Sequence, residues 1–301
     1  RQSPMSQWKS LAMTLLHTAR KLSLSDWKVD CAIVGALALS LLSVSEAAPL
    51  PSLPNIPAPA VAPHFAKTPN VALLIGNSYS FYNCGVHTYL RGLMRASDPV
   101  IPMKTRLLTI SSGALSFHDV GFYLQPHPQD PYVKRENGRL LSMFDIVLLQ
   151  EHSEGAVSAK RIAFLKEFAK QHADTIRAAG SAPLLVMTWT KENRADDIEK
   201  LATNTIEAAN AAQMPAVPVG IAFEAVRKSH PDIKLYQADK SHPSAAGTYL
   251  YASVLYATLF KKSPVGLDYQ GECEKPLAPE VAKTLQEVAW KTVTEFFGWK
   301  E

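Results

Sequence analysis

The chain has 301 residues, of which 47% are apolar and 19% charged, and its formal net charge is +4. This composition indicates a globular protein that can bury one sizeable core, and it excludes an intrinsically disordered chain. The Lys and Arg residues are scattered and are not interleaved with aromatic residues. The sequence therefore gives no indication of a nucleic-acid partner.

Residues 1–48 have the pattern of a targeting segment. Basic residues at positions 20, 21 and 28 precede an apolar stretch at 31–44, and small residues follow at 47 and 48. This order predicts a secretory signal peptide. The apolar stretch is shorter than the ~20 residues that a membrane-spanning helix needs, and an uncleaved anchor is the alternative. We expect a secreted or periplasmic protein without stable membrane insertion after signal cleavage.

Residues 49–66 are rich in Pro and Ala and show neither a helical nor a strand period. This pattern predicts an extended, solvated linker that precedes a catalytic domain at 67–301. Signal cleavage leaves two cysteines, Cys84 and Cys273, in a compartment where disulfides persist. The sequence leaves open whether they pair.

From Asn70 onward, short apolar runs alternate with longer amphipathic ones, which predicts strands and crossover helices of a parallel sheet. Helical spacing of apolar residues begins near Ile162 and again near Ile198. An almost wholly apolar helix is predicted at Ser244 to Phe260, and a last helix at Pro279 to Phe297, which we expect to close the other face of the sheet. The predicted strands are Val71–Ile75, Arg106–Ile110, Ile146–Leu149, Leu184–Thr188 and Ala216–Val219.

Two short motifs carry the chemistry. Gly76-Asn77-Ser78-Tyr79 directly follows the first predicted strand, and Asp239-Lys240-Ser241-His242-Pro243 precedes the apolar helix. A serine, a histidine and an aspartate are the parts of a nucleophilic triad. Taken alone, the first motif could be an ordinary turn and the second a helix cap. Their order, with a strand before one and a helix after the other, favours a serine hydrolase.

These two motifs resemble the first and last conserved blocks of the SGNH (GDSL-type) hydrolases. The resemblance spans about residues 70 to 262. It implies a flavodoxin-like three-layer α/β/α sandwich with a central parallel sheet, in which Ser78 is the nucleophile, His242 the base and Asp239 its orienting acid. The G-x-S-x-G motif of α/β-hydrolases is a poorer match, because Ser80 stands where that motif has its second glycine.

The resemblance also implies an oxyanion hole, which needs preorganised hydrogen-bond donors. We expect the backbone N–H groups of Ser78 and Gly113 to supply two of them. The family's third donor is an asparagine that this chain lacks, and Gln150 is the preferred replacement, with His152 as the alternative. Tyr79, Trp189 and His152 are predicted to contact the substrate.

The motifs predict a serine esterase that acts on short acyl or acetyl esters, with a slight preference for carbohydrate O-deacetylation. The alternatives are an O-acyltransferase, a lipase or polyester-type esterase, and a non-catalytic carbohydrate-binding protein. No cofactor is expected. No metal is expected either, because the spacing of His87, His118 and His127 is not that of metal ligands. The sequence does not predict the oligomeric state.

Overall fold

The computed structural model describes residue 53 and residues 55–300, so the predicted signal peptide lies outside the described residues. Five parallel strands form the main sheet in the spatial order β2-β1-β5-β6-β7. A two-stranded antiparallel hairpin, β3 and β4, lies outside it. When only these five strands are numbered in chain order, their spatial order is 2-1-3-4-5, which is the flavodoxin-like arrangement. The predicted fold class is confirmed.

The elements have the following bounds. The strands are β1 Val71–Gly76, β2 Lys104–Thr109, β3 Lys134–Glu136, β4 Arg139–Leu141, β5 Ile146–Gln150, β6 Ala182–Val186 and β7 Ala216–Val217. The α-helices are α1 Ser78–Phe81, α2 Val86–Arg95, α3 Val120–Tyr123, α4 Ile162–Ala178, α5 Ile198–Ala211, α6 Val219–Ser229, α7 Ala245–Phe260 and α8 Pro279–Phe297. Two 3₁₀ turns lie at Leu115–Phe117 and Glu192–Asp197.

The main sheet separates two hydrophobic cores. All six residues of β1 are buried, as expected for a central parallel strand covered on both faces. Successive side chains of a strand point to opposite faces, so Leu74 joins the core with α2, α6, α7 and α8, whereas Leu73 joins the core with α4 and α5. The helices therefore form two outer layers around the sheet.

The predicted apolar helix is α7, which begins after the cap Ser244, whose hydroxyl accepts a hydrogen bond from the Gly247 N–H (3.2 Å). It is buried on nearly all sides because α2 and α8 cover it. The prediction that α8 closes the other face is wrong, since its Leu285 and Ala289 pack into the same core as α7. Helices α2 and α6 and the β3–β4 hairpin were not predicted from the sequence.

The described part of the Pro/Ala-rich segment, at 53 and 55–66, lies against the domain and is not wholly solvated. The Asn210 side chain on α5 binds it twice, accepting from the Ala60 N–H (2.8 Å) and donating to the Ala58 carbonyl (3.0 Å). Cys84 and Cys273 form a disulfide. Within residues 53 and 55–300, no helix is both long and apolar enough to cross a membrane.

Candidate active site

Ser78 lies just beyond the carboxyl end of the interior strand β1, which ends at Gly76, and it is the first residue of α1. The Asn77 side chain caps α1 by accepting from the Tyr79 N–H (3.1 Å). Its amide donates to the carbonyls of Gly113 (2.9 Å) and Glu151 (3.3 Å), which follow β2 and β5. Asn77 therefore ties together the loops that follow three neighbouring strands, with the nucleophile at their centre.

The acid and base lie on one tight loop, which an isolated bridge between Tyr236 and Pro243 closes. The Asp239 carboxylate accepts from the backbone N–H groups of Ser241 and His242, at 3.0 Å each. Lys240 takes a positive φ of 62° to make the turn. The spacing of three residues therefore lets the carboxylate hold its own loop while it faces the imidazole.

The structure brings the three predicted triad residues together. His242 Nε2 lies 2.9 Å from Ser78 Oγ, and His242 Nδ1 is hydrogen-bonded to Asp239 Oδ2. Burial tends to raise the pKa of Asp239, but the hydrogen bonds from His242 and Ser241 outweigh it and hold that pKa below its usual range. The carboxylate thus stays ionised and keeps the proton on Nδ1. Nε2 is left free to accept the Ser78 proton.

Three stacked rings lie behind the triad. The Trp189 ring lies between Tyr79 (centroids 4.4 Å apart) and Phe223 (4.3 Å), and both pairs are nearly parallel. Tyr79 and Trp189 also bind Ser241, through its hydroxyl (2.7 Å) and its carbonyl (3.0 Å). The stack therefore fixes the residue that precedes His242.

A second set of contacts holds His242 and the residues that follow it. The Tyr82 ring stacks on the His242 imidazole, with the centroids 4.2 Å apart. The Asn83 amide donates to the Pro243 carbonyl (3.0 Å) and to the Thr248 hydroxyl (2.7 Å). The segment after α1 and the histidine loop are thus fixed to each other.

A small pocket of about 100 Å³ opens over the Ser78–His242 pair. No residue that lines it has an aliphatic side chain. Its lining residues are Asn77, Ser78, Tyr79, Ser112, His152, Ser153, Ser241 and His242. In the part of the chain that the structure describes, no group of three His, Cys, Asp or Glu residues could hold a metal ion.

No protein-family model and no curated protein matches the chain. Its structure is similar to that of a DUF4886 family protein from Bacteroides uniformis, with a TM-score of 0.52 and 16% identity over 77% of this chain and 96% of that one. Taken with the sheet order, this likeness decides the fold. The chain has a flavodoxin-like fold. The fold that the motifs predict is thereby confirmed.

Two further matches have lower TM-scores. A candidate SGNH hydrolase from Slackia heliotrinireducens has a TM-score of 0.45 and 22% identity over 63% of this chain and 98% of that one. A catalytic mutant of an acetylxylan esterase from Geobacillus stearothermophilus has a TM-score of 0.46 and 16% identity over 63% and 94%. At these identities the likeness concerns the fold alone.

Two predicted oxyanion donors of the SGNH pattern are not available in this site. The Gly113 N–H donates to the Ile110 carbonyl (2.9 Å) and closes a turn in which Ser112 has a φ of 55°. Ser112, rather than Gly113, therefore lines the pocket. In this structure the Gly113 N–H is thus engaged within its own turn, and its assignment to the oxyanion hole stays a prediction.

Gln150 lies beneath the nucleophile and does not line the pocket. Its side-chain amide donates to Asn77 Oδ1 (3.0 Å) and to the Glu151 carbonyl, so both N–H groups are used. Its oxygen accepts from the Asn77 N–H (3.2 Å) and the Ser80 hydroxyl (2.8 Å). A Cβ on Gly76 would come within 2.4 Å of that oxygen, so a larger residue there would displace the Gln150 side chain. In this structure Gln150 positions Asn77 and Ser80, and its role as an oxyanion donor stays a prediction.

The predicted substrate residues divide into two groups. His152 lines the pocket, and Tyr79 lines it while its side chain is almost wholly buried. Trp189 is 1% exposed and does not line the pocket; its ring supports the histidine loop instead. Sequence reasoning missed the roles of Asn77 and Ser241. The only sequence signal for these roles was that both residues lie inside the two motifs.

Proposed function

We propose that this protein is a serine esterase that hydrolyses short-chain carboxylic esters through an acyl-serine intermediate. The observation that carries the proposal is the continuous chain of hydrogen bonds from Ser78 Oγ through His242 to Asp239, which opens into a pocket. A serine hydroxyl is a weak nucleophile near neutral pH and needs such a base.

The reaction follows from this geometry. Ser78 Oγ attacks the ester carbonyl carbon while His242 Nε2 takes the hydroxyl proton, and the carbonyl oxygen becomes an oxyanion. As the tetrahedral intermediate collapses, the imidazolium returns the proton to the leaving alkoxide. A water molecule then attacks the acyl-serine with the same base, and the carboxylic acid is released as Ser78 regains its proton.

The pocket favours a small acyl group on a polar substrate. Its volume is only about 100 Å³, and its lining has no aliphatic side chain that could bind a long acyl chain. Phe81 and Tyr82, which stack on each other beside His242, offer an aromatic surface of the kind on which a sugar ring can pack. We therefore favour acetyl esters of carbohydrates as the substrate class.

We further propose that the protein is exported. The pattern of residues 1–48 supports export, as does the Cys84–Cys273 disulfide, since such bonds persist outside the cytoplasm. The N-terminal sequence of protein recovered from the periplasm or medium tests this directly. An unprocessed chain retained in the cytoplasm would contradict it.

The activity is tested with p-nitrophenyl acetate, butyrate and octanoate and with an acetylated xylo-oligosaccharide. We expect turnover to fall with chain length and to drop on the order of 10⁴-fold in Ser78→Ala and His242→Ala. Ser263→Ala, which removes an exposed serine outside the pocket, is the matched control. Equal rates in wild type and both triad variants would contradict the proposal. Adding an alcohol acceptor and analysing the products separates hydrolysis from acyl transfer.

A further inference from the structure

The oxyanion hole of this site lacks the two donors that its sequence pattern predicts, because the N–H groups of Gly113 and Gln150 are both used elsewhere. Among the described residues, none accepts a hydrogen bond from the Ser78 backbone N–H, so that donor faces the site unpaired. One backbone N–H is less than a tetrahedral oxyanion needs. The side chains that line the pocket can supply a further donor.

The structure assigns that role to His152: its neutral imidazole donates the Nε2–H to the oxyanion of the tetrahedral intermediate. This inference rests on the proposed esterase function. The first observation that supports it is position, because His152 lines the same small pocket as Ser78 and His242. It thus lies on the side of the pocket formed by the loop after β5, where the SGNH pattern has its asparagine donor.

The second observation is the tautomer. His152 Nδ1 accepts a hydrogen bond from the Glu154 N–H (3.0 Å), which leaves Nδ1 without a proton. A neutral imidazole whose Nδ1 is an acceptor carries its proton on Nε2. Burial, and next the charge of Arg161, lowers the pKa of His152, so the ring remains neutral near pH 7. A neutral ring donates one hydrogen bond and does not compete with His242 for the Ser78 proton.

The third observation is rigidity, which a preorganised donor requires. The His152 N–H donates to Glu151 Oε1 (2.6 Å), so the backbone on one side of the ring is held by a buried carboxyl group. On the other side, Glu154 is held by ion pairs with Lys191 (2.7 Å) and Arg194 (3.1 Å). The imidazole is therefore fixed before substrate arrives.

The kinetic test compares His152→Ala with His152→Asn and His152→Gln. We expect His152→Ala to lower kcat for p-nitrophenyl acetate by about 10²- to 10³-fold with little change in KM, as for the loss of an oxyanion donor elsewhere. The amide variants carry a neutral N–H donor and should recover part of that loss. His127→Asn is the matched control, since His127 Nδ1 makes the same local bond, to the Gln129 N–H (3.3 Å), outside the pocket.

A wild-type enzyme that is active while His152→Ala has an unchanged kcat, or only a raised KM, would overturn the assignment and leave the esterase proposal standing. A wild type that neither turns over esters nor is labelled at Ser78 by a fluorophosphonate would overturn both. Nitrogen-15 NMR of the histidine-labelled wild type decides the tautomer even if the variants fail to fold. A protonated Nε2 and bare Nδ1 at pH 7 support the assignment, and the opposite tautomer overturns it.

Discussion

The hydrogen bond between Tyr79 and Ser241 connects the segment that carries Ser78 to the loop that carries Asp239 and His242. Tyr79 follows the nucleophile on α1, Ser241 precedes His242, and their hydroxyl oxygens lie 2.7 Å apart. Burial raises the pKa of Tyr79, so the phenol stays protonated across the working pH range. Tyr79→Phe removes this bond and leaves the ring stacked on Trp189, at the same distance of 4.4 Å.

The expected cost follows from the kind of bond that is lost. A neutral hydrogen bond contributes about 1 kcal/mol net, and we therefore expect Tyr79→Phe and Ser241→Ala each to lower the free energy of unfolding by about that amount. If loss of the bond also lets the distance between Ser78 and His242 vary more, kcat falls by up to about fivefold. This corresponds to an increase of about 1 kcal/mol in the activation free energy. KM should change less.

Urea denaturation and steady-state kinetics of both single variants and the double variant form a double-mutant cycle. Because the bond between Tyr79 and Ser241 is lost in either single variant, the double variant should be about 1 kcal/mol more stable than the sum of the single effects predicts. Additive effects on stability and on kcat would refute the reasoning, because they would mean that the two hydroxyl groups do not act on each other in solution.

Three other predictions concern stability. Replacing Cys84 and Cys273 by alanine should lower the free energy of unfolding by about 2–5 kcal/mol, because the bond closes a loop spanning 189 residues; an unchanged urea midpoint would contradict this. Burial lowers the pKa of His118 and His172 below the unfolded value of 6.5, so unfolded chains bind more protons and the free energy of unfolding should fall as the pH drops through 6.5. His172→Gln should reduce the dependence of the free energy of unfolding on pH. The same pH dependence in the variant and the wild type would contradict this prediction. Gln150→Met should lower the free energy of unfolding by about 2–4 kcal/mol, measured by urea denaturation, because it leaves buried polar partners unpaired. A variant with unchanged stability and a reduced kcat would instead indicate that Gln150 is an oxyanion donor.

The fold could be predicted because the pattern of apolar runs reports burial directly. β1 is a continuous apolar run, and it is an interior strand with both faces covered. The bounds of the edge strand β2 were predicted less accurately, as Arg106–Ile110 instead of Lys104–Thr109. The exposed side chains of Lys104 and Arg106 interrupt the apolar pattern of this strand. Helix α8 was predicted with the correct bounds but on the wrong face, since an amphipathic pattern shows which side is buried and not against what.

The arrangement of Ser78, His242 and Asp239 could be anticipated from the sequence because each residue lies in a short motif whose geometry is local. The oxyanion hole could not, because it depends on where tertiary contacts direct each donor. Every residue of β5, including Gln150, is buried, so the strand pattern does not show which way its side chain is used. Nothing in the local sequence shows that Asn77, at the end of the neighbouring strand, binds that amide.

The most direct test of the esterase account is covalent labelling of Ser78. Wild-type protein and the His242→Ala and Ser78→Ala variants are treated with a fluorophosphonate, and intact mass and peptide mapping locate the adduct. The account predicts rapid, stoichiometric labelling of Ser78 in the wild type, labelling slowed by orders of magnitude in His242→Ala, and none in Ser78→Ala. Labelling at another residue, or at the same rate without the histidine, would contradict it.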